Sequence, residues 1–136
     1  MTKNEIRQVI EEKFSAEWSS TTIVGWENST IEVPTNDYWV RLTVLPIRGS
    51  NAALGQRTRT SGFIVLQVFG PKGVGTGKLF ELIDDFNDIM ENYRFPGLDL
   101  FTYACTPEII GESPSGSKGS SIGFYQINAK IPFEAF

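Results

Sequence analysis

The chain of 136 residues carries a net charge of −4 and has an ordinary globular composition, with 40% apolar and 21% charged residues. This length suits one domain, and such a chain buries about two thirds of its unfolded surface. Histidine is absent and Cys105 is the single cysteine. Ser-His-Asp and Cys-His catalytic sets and an intrachain disulfide are therefore excluded, and few ligands remain for zinc. We predict one domain, residues 1–136, with no cofactor, no metal site and no enzymatic activity.

The beginning of the chain lacks the apolar segment and the cleavage site of a signal peptide. No apolar run approaches the ~20 residues that span a bilayer. A lone thiol is more typical of a reducing cytoplasm than of a secreted protein. The sequence therefore favours a soluble protein that is made and used inside a cell, without a membrane partner.

Charge is distributed unevenly along the sequence. No acidic residue lies between Asp37 and Glu81, whereas this interval contains six basic residues. They are Arg41, Arg48, Arg57, Arg59, Lys72 and Lys78. Since the total is −4, the remaining segments carry −10. Two interpretations stay open: the basic segments are simply solvated, or a basic face of one copy meets an acidic face of another. The negative net charge argues against specific nucleic-acid binding.

The first predicted element is an amphipathic helix over residues 4–17. Apolar residues from Ile6 to Phe14 recur at the three-and-four spacing of one helical face. Thr2 and Glu5 have the spacing of a capping box, which satisfies unpaired N–H groups at a helix start.

Three strands are predicted next, at about 21–26, 38–47 and 58–69, from β-branched content, alternation and a nearly continuous apolar run. Six residues are expected on one buried face: Val40, Leu42, Val44, Ile64, Leu66 and Val68. Residues 48–59 are polar and contain glycine. That composition predicts a long mobile loop, of the kind that often carries function.

A second amphipathic helix is predicted over residues 76–93, with Thr76 as its N-cap and Phe86 packing on the sheet. The acidic residues opposite its apolar stripe are expected to form a solvated face rather than a metal site. They are Asp84, Asp85 and Asp88. Two further strands, at about 98–110 and 121–133, flank a Gly/Ser-rich segment at 111–120 that is predicted to be a mobile loop. The fold class is therefore α+β, in the order α-β-β-β-α-β-β, with a mixed or antiparallel sheet that carries both helices.

The Gly-rich segment 70–78 invites comparison with a phosphate-binding loop. The P-loop pattern needs Gly at position 72 and Ser or Thr at position 79, and the chain has Lys72 and Leu79 there. We expect the glycines to free the backbone for the turn into the second helix, without nucleotide binding.

Taken in order, these features resemble the tail terminator (tail completion) proteins of long-tailed bacteriophages. The resemblance covers nearly the whole chain. It rests on the N-terminal helix and on four later segments: residues 38–46, the Gly/Ala/Arg segment 48–59, the apolar strand 62–69 and the closing strand 123–133.

The resemblance implies a structural virion protein that forms a ring, a hexamer, at the head-proximal end of the tail tube. Such a ring stops tube polymerisation and offers the surface that joins tail to head. The implied partners are further copies of the chain, the tail tube protein and the head-tail connector protein, in a tail assembled in the host cytoplasm. Two alternatives remain: another neck, connector or minor tail protein, and a nucleotide-binding enzyme that uses residues 70–78.

The interaction residues of this hypothesis lie in the 48–59 segment. Arg48, Arg57 and Arg59 are expected to give charge-assisted hydrogen bonds to a neighbouring subunit or to the tube protein. Leu54 is expected to act as an apolar anchor between them. We hypothesise that the segment is mobile in the monomer and ordered in the ring.

Overall fold

The structure, a computed structural model, describes residues 1–18, 22–26, 37–53, 57–73, 75–112 and 124–136. These ranges contain two helices and one mixed sheet of six strands, which confirms the α+β class. In chain order the elements are α1 (Lys3–Trp18), β1 (Ile23–Trp26), β2 (Trp39–Ala53), β3 (Arg57–Pro71), α2 (Gly77–Met90), β4 (Leu100–Thr102), β5 (Thr106–Glu112) and β6 (Phe124–Ala135).

The sheet is built around β3, which pairs with β2 on one side and with β6 on the other. The strand order is β1-β2-β3-β6-β4, and β5 also pairs with β6. Only β1 is parallel to its described neighbour; the other pairs are antiparallel. β4 and β5 lie end to end along β6, where a single strand was predicted over 98–110.

The N-terminal helix begins as predicted. The N–H of Glu5 donates to the hydroxyl of Thr2 (3.1 Å), and the N–H of Thr2 donates to the carboxylate of Glu5 (3.3 Å). This is the reciprocal pattern of a capping box. Near the other end of α1, the ring of Phe14 stacks on Trp18 (centroids 4.9 Å apart) and meets Phe86 of α2 edge to face (6.0 Å). The two helices are therefore joined by aromatic packing above the sheet.

Helix α2 ends at Met90, three residues before the predicted end at Tyr93. The hydroxyl of Thr102 donates to the carbonyl of Met90 and accepts the N–H of Tyr93 (2.8 Å). The carboxylate of Glu91 accepts the N–H of Cys105 (2.6 Å). Since these bonds come from residues after the helix, the chain leaves the helix early to meet strand β4.

The core lies between the helices and one face of the sheet. All six residues predicted on the buried face are in it, and Phe86 of α2 packs against them with no exposed surface. Strand β6 completes the same face with Ile127, Ala129, Ile131 and Phe133. Burying one such large apolar side chain stabilises the fold by roughly 1.5–3 kcal/mol.

The prediction of a loop over 48–59 was wrong for the described part of that segment, because β2 continues to residue 53 and β3 begins at residue 57. β6 pairs with β3 only as far as Thr60. Residues 50–53 and 57–59 therefore pair with each other alone and extend beyond the sheet as a two-stranded ribbon, here called the arm. A ribbon without a core needs no apolar alternation, which explains why its sequence resembled a loop.

The other predicted loop, 111–120, is described only at its start. Gly111 and Glu112 belong to β5, where Gly111 has a positive φ of 89°. Residues 113–120 lie outside the described residues, as does the start of the strand predicted over 121–133.

The packing of α2 on the sheet gives the first prediction. Phe86→Ala should lower the free energy of unfolding by about 3–5 kcal/mol, because it leaves a cavity in the core. Phe80→Ala is the matched control, since Phe80 lies on the same helix with 37% of its surface exposed, and it should cost much less. Urea unfolding followed by circular dichroism measures both. Equal losses for the two variants would contradict this description of the core.

Candidate interaction surface

The three predicted arginines lie in or next to the arm. Arg48 is opposite Ser61 at its base, and Arg57 and Arg59 belong to the arm itself. Leu54 lies outside the described residues. Of the three arginine side chains, the structure describes that of Arg59, which is 44% exposed and has Nη1 3.8 Å from Oε1 of Glu134.

Glu134 links Arg59 to Tyr103, and neither Glu134 nor Tyr103 was singled out from the sequence. The hydroxyl of Tyr103 donates to Oε2 of Glu134 (2.9 Å). This hydrogen bond, then burial and then the charge of Glu134 raise the pKa of Tyr103, while the charge of Arg59 opposes them. The tyrosine therefore stays protonated at neutral pH and keeps its contact. Because exposed ion pairs contribute only ~0.2–1 kcal/mol each, this network orients side chains more than it stabilises the fold.

An apolar row lies on the sheet face opposite the helices, next to the base of the arm. The strand register aligns Leu45, Phe63 and Pro132, and the N–H of Tyr103 donates to the carbonyl of Pro132 (3.0 Å). Leu45 and Tyr103 are 41% and 44% exposed, and Ile47, two residues further along β2, is 63% exposed. Neighbouring exposed apolar residues of this size are typical of interaction surfaces. The sequence offered one signal for them: Leu45 is apolar although it alternates with the predicted buried face of β2.

At the far end of the same face, three buried aromatic side chains pack together. Trp39 and Phe69 stack with centroids 4.1 Å apart, and Phe124 meets Trp39 edge to face at 6.0 Å. The guanidinium of Arg41 lies 5.4 Å from the ring of Trp39. These three aromatic residues are buried, so the exposed apolar surface of this face is concentrated near the arm.

Two long strand edges have no strand beside them in the described ranges. β1 covers β2 only over residues 39–42, which leaves the edge of residues 43–53 unpaired. On the other side of the sheet, β5 pairs with β6 alone. Residues 106–110 are all exposed, with Ile109 at 61% and Ile110 at 43%.

The Gly-rich segment before α2 makes a turn, as predicted, because Gly73 and Gly75 have positive φ values of 81° and 80°. Thr76 occupies the N-cap position, although its side chain makes no capping hydrogen bond. The amine of Lys78 is 3.9 Å from a carboxylate oxygen of Glu81. That this segment binds no nucleotide stays a prediction.

The predicted solvated face of α2 has the expected position, since Asp84, Asp85 and Asp88 are exposed. Across the described ranges, no three His, Cys, Asp or Glu side chains gather to hold a metal ion. Neither described helix is both long and apolar enough to cross a membrane. Cys105 is half-buried beside the core, and burial, together with the charge of Glu91, raises the pKa of its thiol.

Comparison with known proteins identifies the fold and leaves the family open. No protein-family model and no curated protein matches the chain. One solved structure, of a protein whose name states no function, is similar with a TM-score of 0.71 and 17% sequence identity. The alignment covers 100% of this chain and 96% of that one. At this identity the similarity shows a shared fold over the whole chain.

The contact at the base of the arm gives the second prediction. Glu134→Gln should lower the pKa of Tyr103, because it removes the negative charge that opposes ionisation. Arg59→Gln should raise the same pKa, since it removes a positive charge that favours ionisation. NMR titration of ring-labelled tyrosine measures both. An identical pKa in the two variants and the unmodified protein would show that the three side chains do not interact in solution.

Proposed function

We propose that this protein is a structural component of a bacteriophage virion that acts as a tail terminator. Copies of the chain form a ring, six in number by the resemblance, which caps the head-proximal end of the tail tube. The ring stops tube growth and presents the surface to which the head-tail connector binds.

The observation that carries the proposal is the presence of two different candidate contact surfaces on one small domain. One surface combines the arm with the apolar row and carries basic residues. The other is the edge of β5, with the exposed Ile109 and Ile110 and with Glu108, whose carboxylate lies 2.9 Å from the amine of Lys130. A head-to-tail ring needs two unlike surfaces on each subunit, whereas a two-fold dimer needs only one.

The charge distribution supports the same function. Acidic residues lie exposed along α2, whereas β2 and β3, which form the arm, contain arginines and no acidic residue. At the base of the arm, Glu134 of β6 pairs with Arg59. Opposite charges on separate surfaces favour ordered association of copies and disfavour wrong pairings. A net negative ring would also let DNA pass through without binding it.

The lack of histidine and of a P-loop supports a structural role over a catalytic one. Another neck or connector protein would share the assembly of copies and would differ in its partner. Binding to the tube end is therefore the property that defines the proposed function.

Ring formation is the third prediction. At high protein concentration and low salt, native mass spectrometry should give a closed oligomer of six chains of 15.2 kDa, and electron microscopy should show rings. Higher salt should favour dissociation, because it screens exposed charges. Co-expression with the tube protein of the same virus should give tubes of limited length with a ring at one end. Rings that never bind tube ends would contradict the terminator function and leave another virion role.

A pair of charge reversals tests the arm. Arg57→Glu with Arg59→Glu should weaken ring formation while changing the melting temperature of the monomer little. Lys72→Glu with Lys78→Glu is the matched control and should still form rings. It makes the same change in charge away from the arm, just after β3 and at the start of α2. Normal rings from the arm variant would show that the arm takes no part in assembly.

A further inference from the structure

We infer that Glu134 is a positioning residue that holds the arm beside the apolar row. The arm and the row then form one contact surface before a neighbouring copy binds. This inference rests on the proposed function, in which both belong to the same surface. It departs from the hypothesis, made from the sequence, that residues 48–59 become ordered only in the ring.

The arm leaves the sheet at a point where strand pairing no longer fixes its direction. β3 pairs with β6 as far as Thr60, opposite Ala135, and Arg59 is the next residue outward. Beyond this point, the described residues of β2 and β3 pair with each other alone. A two-stranded ribbon twists more strongly than a wider sheet and is marginally stable by itself. A contact other than the strand ladder is therefore needed to hold the arm in one direction.

An irregularity in β2 bends the ribbon close to the same point. The register shifts between Pro46 and Arg48, and such bulges bend a strand and turn the residues beyond it. On the facing strand, Gly62 lies so close to β2 that an added Cβ atom would collide with the carbonyl oxygen of Leu45. Because Gly62 is three residues from Arg59, a side-chain contact made by Arg59 acts just beyond the bend.

Glu134 uses each of its carboxylate oxygens for a different side chain. Oε1 lies 3.8 Å from Nη1 of Arg59, and Oε2 accepts the hydrogen bond from the hydroxyl of Tyr103 (2.9 Å). The register places Glu134 opposite Ser61, so Arg59 occupies the diagonal position on the same face, which long side chains can reach. The N–H of Tyr103 is bonded to the carbonyl of Pro132 (3.0 Å). Tyr103 is thus anchored to β6 and orients the carboxylate that meets the arm.

Tyr103 belongs to the apolar row as well as to the contact with Glu134. Because Glu134 joins it to Arg59, a partner that covers the row also meets the arm. An exposed ion pair contributes ~0.2–1 kcal/mol, which changes the ratio of held to released arms by about 1.4- to 5-fold. A surface that is already arranged loses less conformational freedom when it binds, so holding the arm favours assembly.

The distance between two spin labels, one on the arm and one on α2, tests the inference. The labels are attached at Ala53→Cys and Asp85→Cys in a chain with Cys105→Ser. Dilution with unlabelled protein restricts the measurement to distances within one copy. The parent protein should give one narrow distance distribution. Glu134→Gln should broaden it, with up to about fivefold more of the released arm, because Arg59 loses its charged partner.

Glu108→Gln is the matched control. Glu108 pairs with Lys130 at 2.9 Å on the β5 side of the sheet, away from the arm, so its loss should leave the distribution narrow. Exchange of the two charges, by Arg59→Glu with Glu134→Arg, should restore a narrow distribution, which a packing role of Glu134 would not do. Arg59→Gln breaks the same contact from the arm and replaces Glu134→Gln if that variant fails to fold.

Three results overturn the inference. They are a broad distribution in the parent protein, an unchanged distribution when the contact is broken, and a distribution that stays broad after the charges are exchanged. In the last case, Glu134 acts through its packing and not through its charge.

The inference and the proposed function can fail separately. If Glu134→Gln releases the arm but forms rings as readily as the unmodified protein, Glu134 holds the arm and the arm takes no part in assembly. If the distribution stays narrow in Glu134→Gln while reversal of Arg57 and Arg59 abolishes rings, the arm acts in assembly and the inference is wrong.

Discussion

The packing of both helices on one face of the sheet determines the rest of the structure. Phe14 of α1 and Phe86 of α2 meet in the core on this face, where the inward residues of β3 are fully buried. Burial of this apolar face is the main stabilising contribution available to so small a chain. Because the helices cover one face only, they leave the opposite face and the sheet edges uncovered by helix.

The surface that the described helices leave uncovered includes exposed apolar residues of the kind that is typical of contact surfaces. The exposed apolar residues are concentrated on the opposite face near the arm and on the edge of β5. The two surfaces belong to different strands of the sheet, the first to β2 and β3 and the second to β5. A subunit with two unlike edges can add copies in one direction without end, or close on itself as a ring. The proposed terminator function depends on closure.

The sequence predicted the elements whose signals are local, such as the capping box of Thr2 and Glu5 and the alternation of β2. Prediction from the sequence failed where a residue that is distant along the chain determines the local conformation. The end of α2 is determined by the hydrogen bond from Thr102 to the carbonyl of Met90. Thr102 lies twelve residues beyond this last helical residue, and no sequence signal near the end of the helix indicates the bond. The arm over 48–59 was mistaken for a loop, because a ribbon without a core carries no apolar alternation. Strand order and the parallel pairing of β1 are likewise set by packing, so the two unpaired edges could not be recognised before the structure.

Amide hydrogen exchange on the assembled and the dissociated protein tests most directly whether copies assemble through the two candidate surfaces. If they do, amides in residues 43–53 and in β5 should exchange more slowly in the assembly than in the monomer. Amides of central β3 over residues 60–69 should change little, since these residues are already paired on both sides. Protection that appears at neither edge, or at the β2 edge alone, would contradict the proposed assembly.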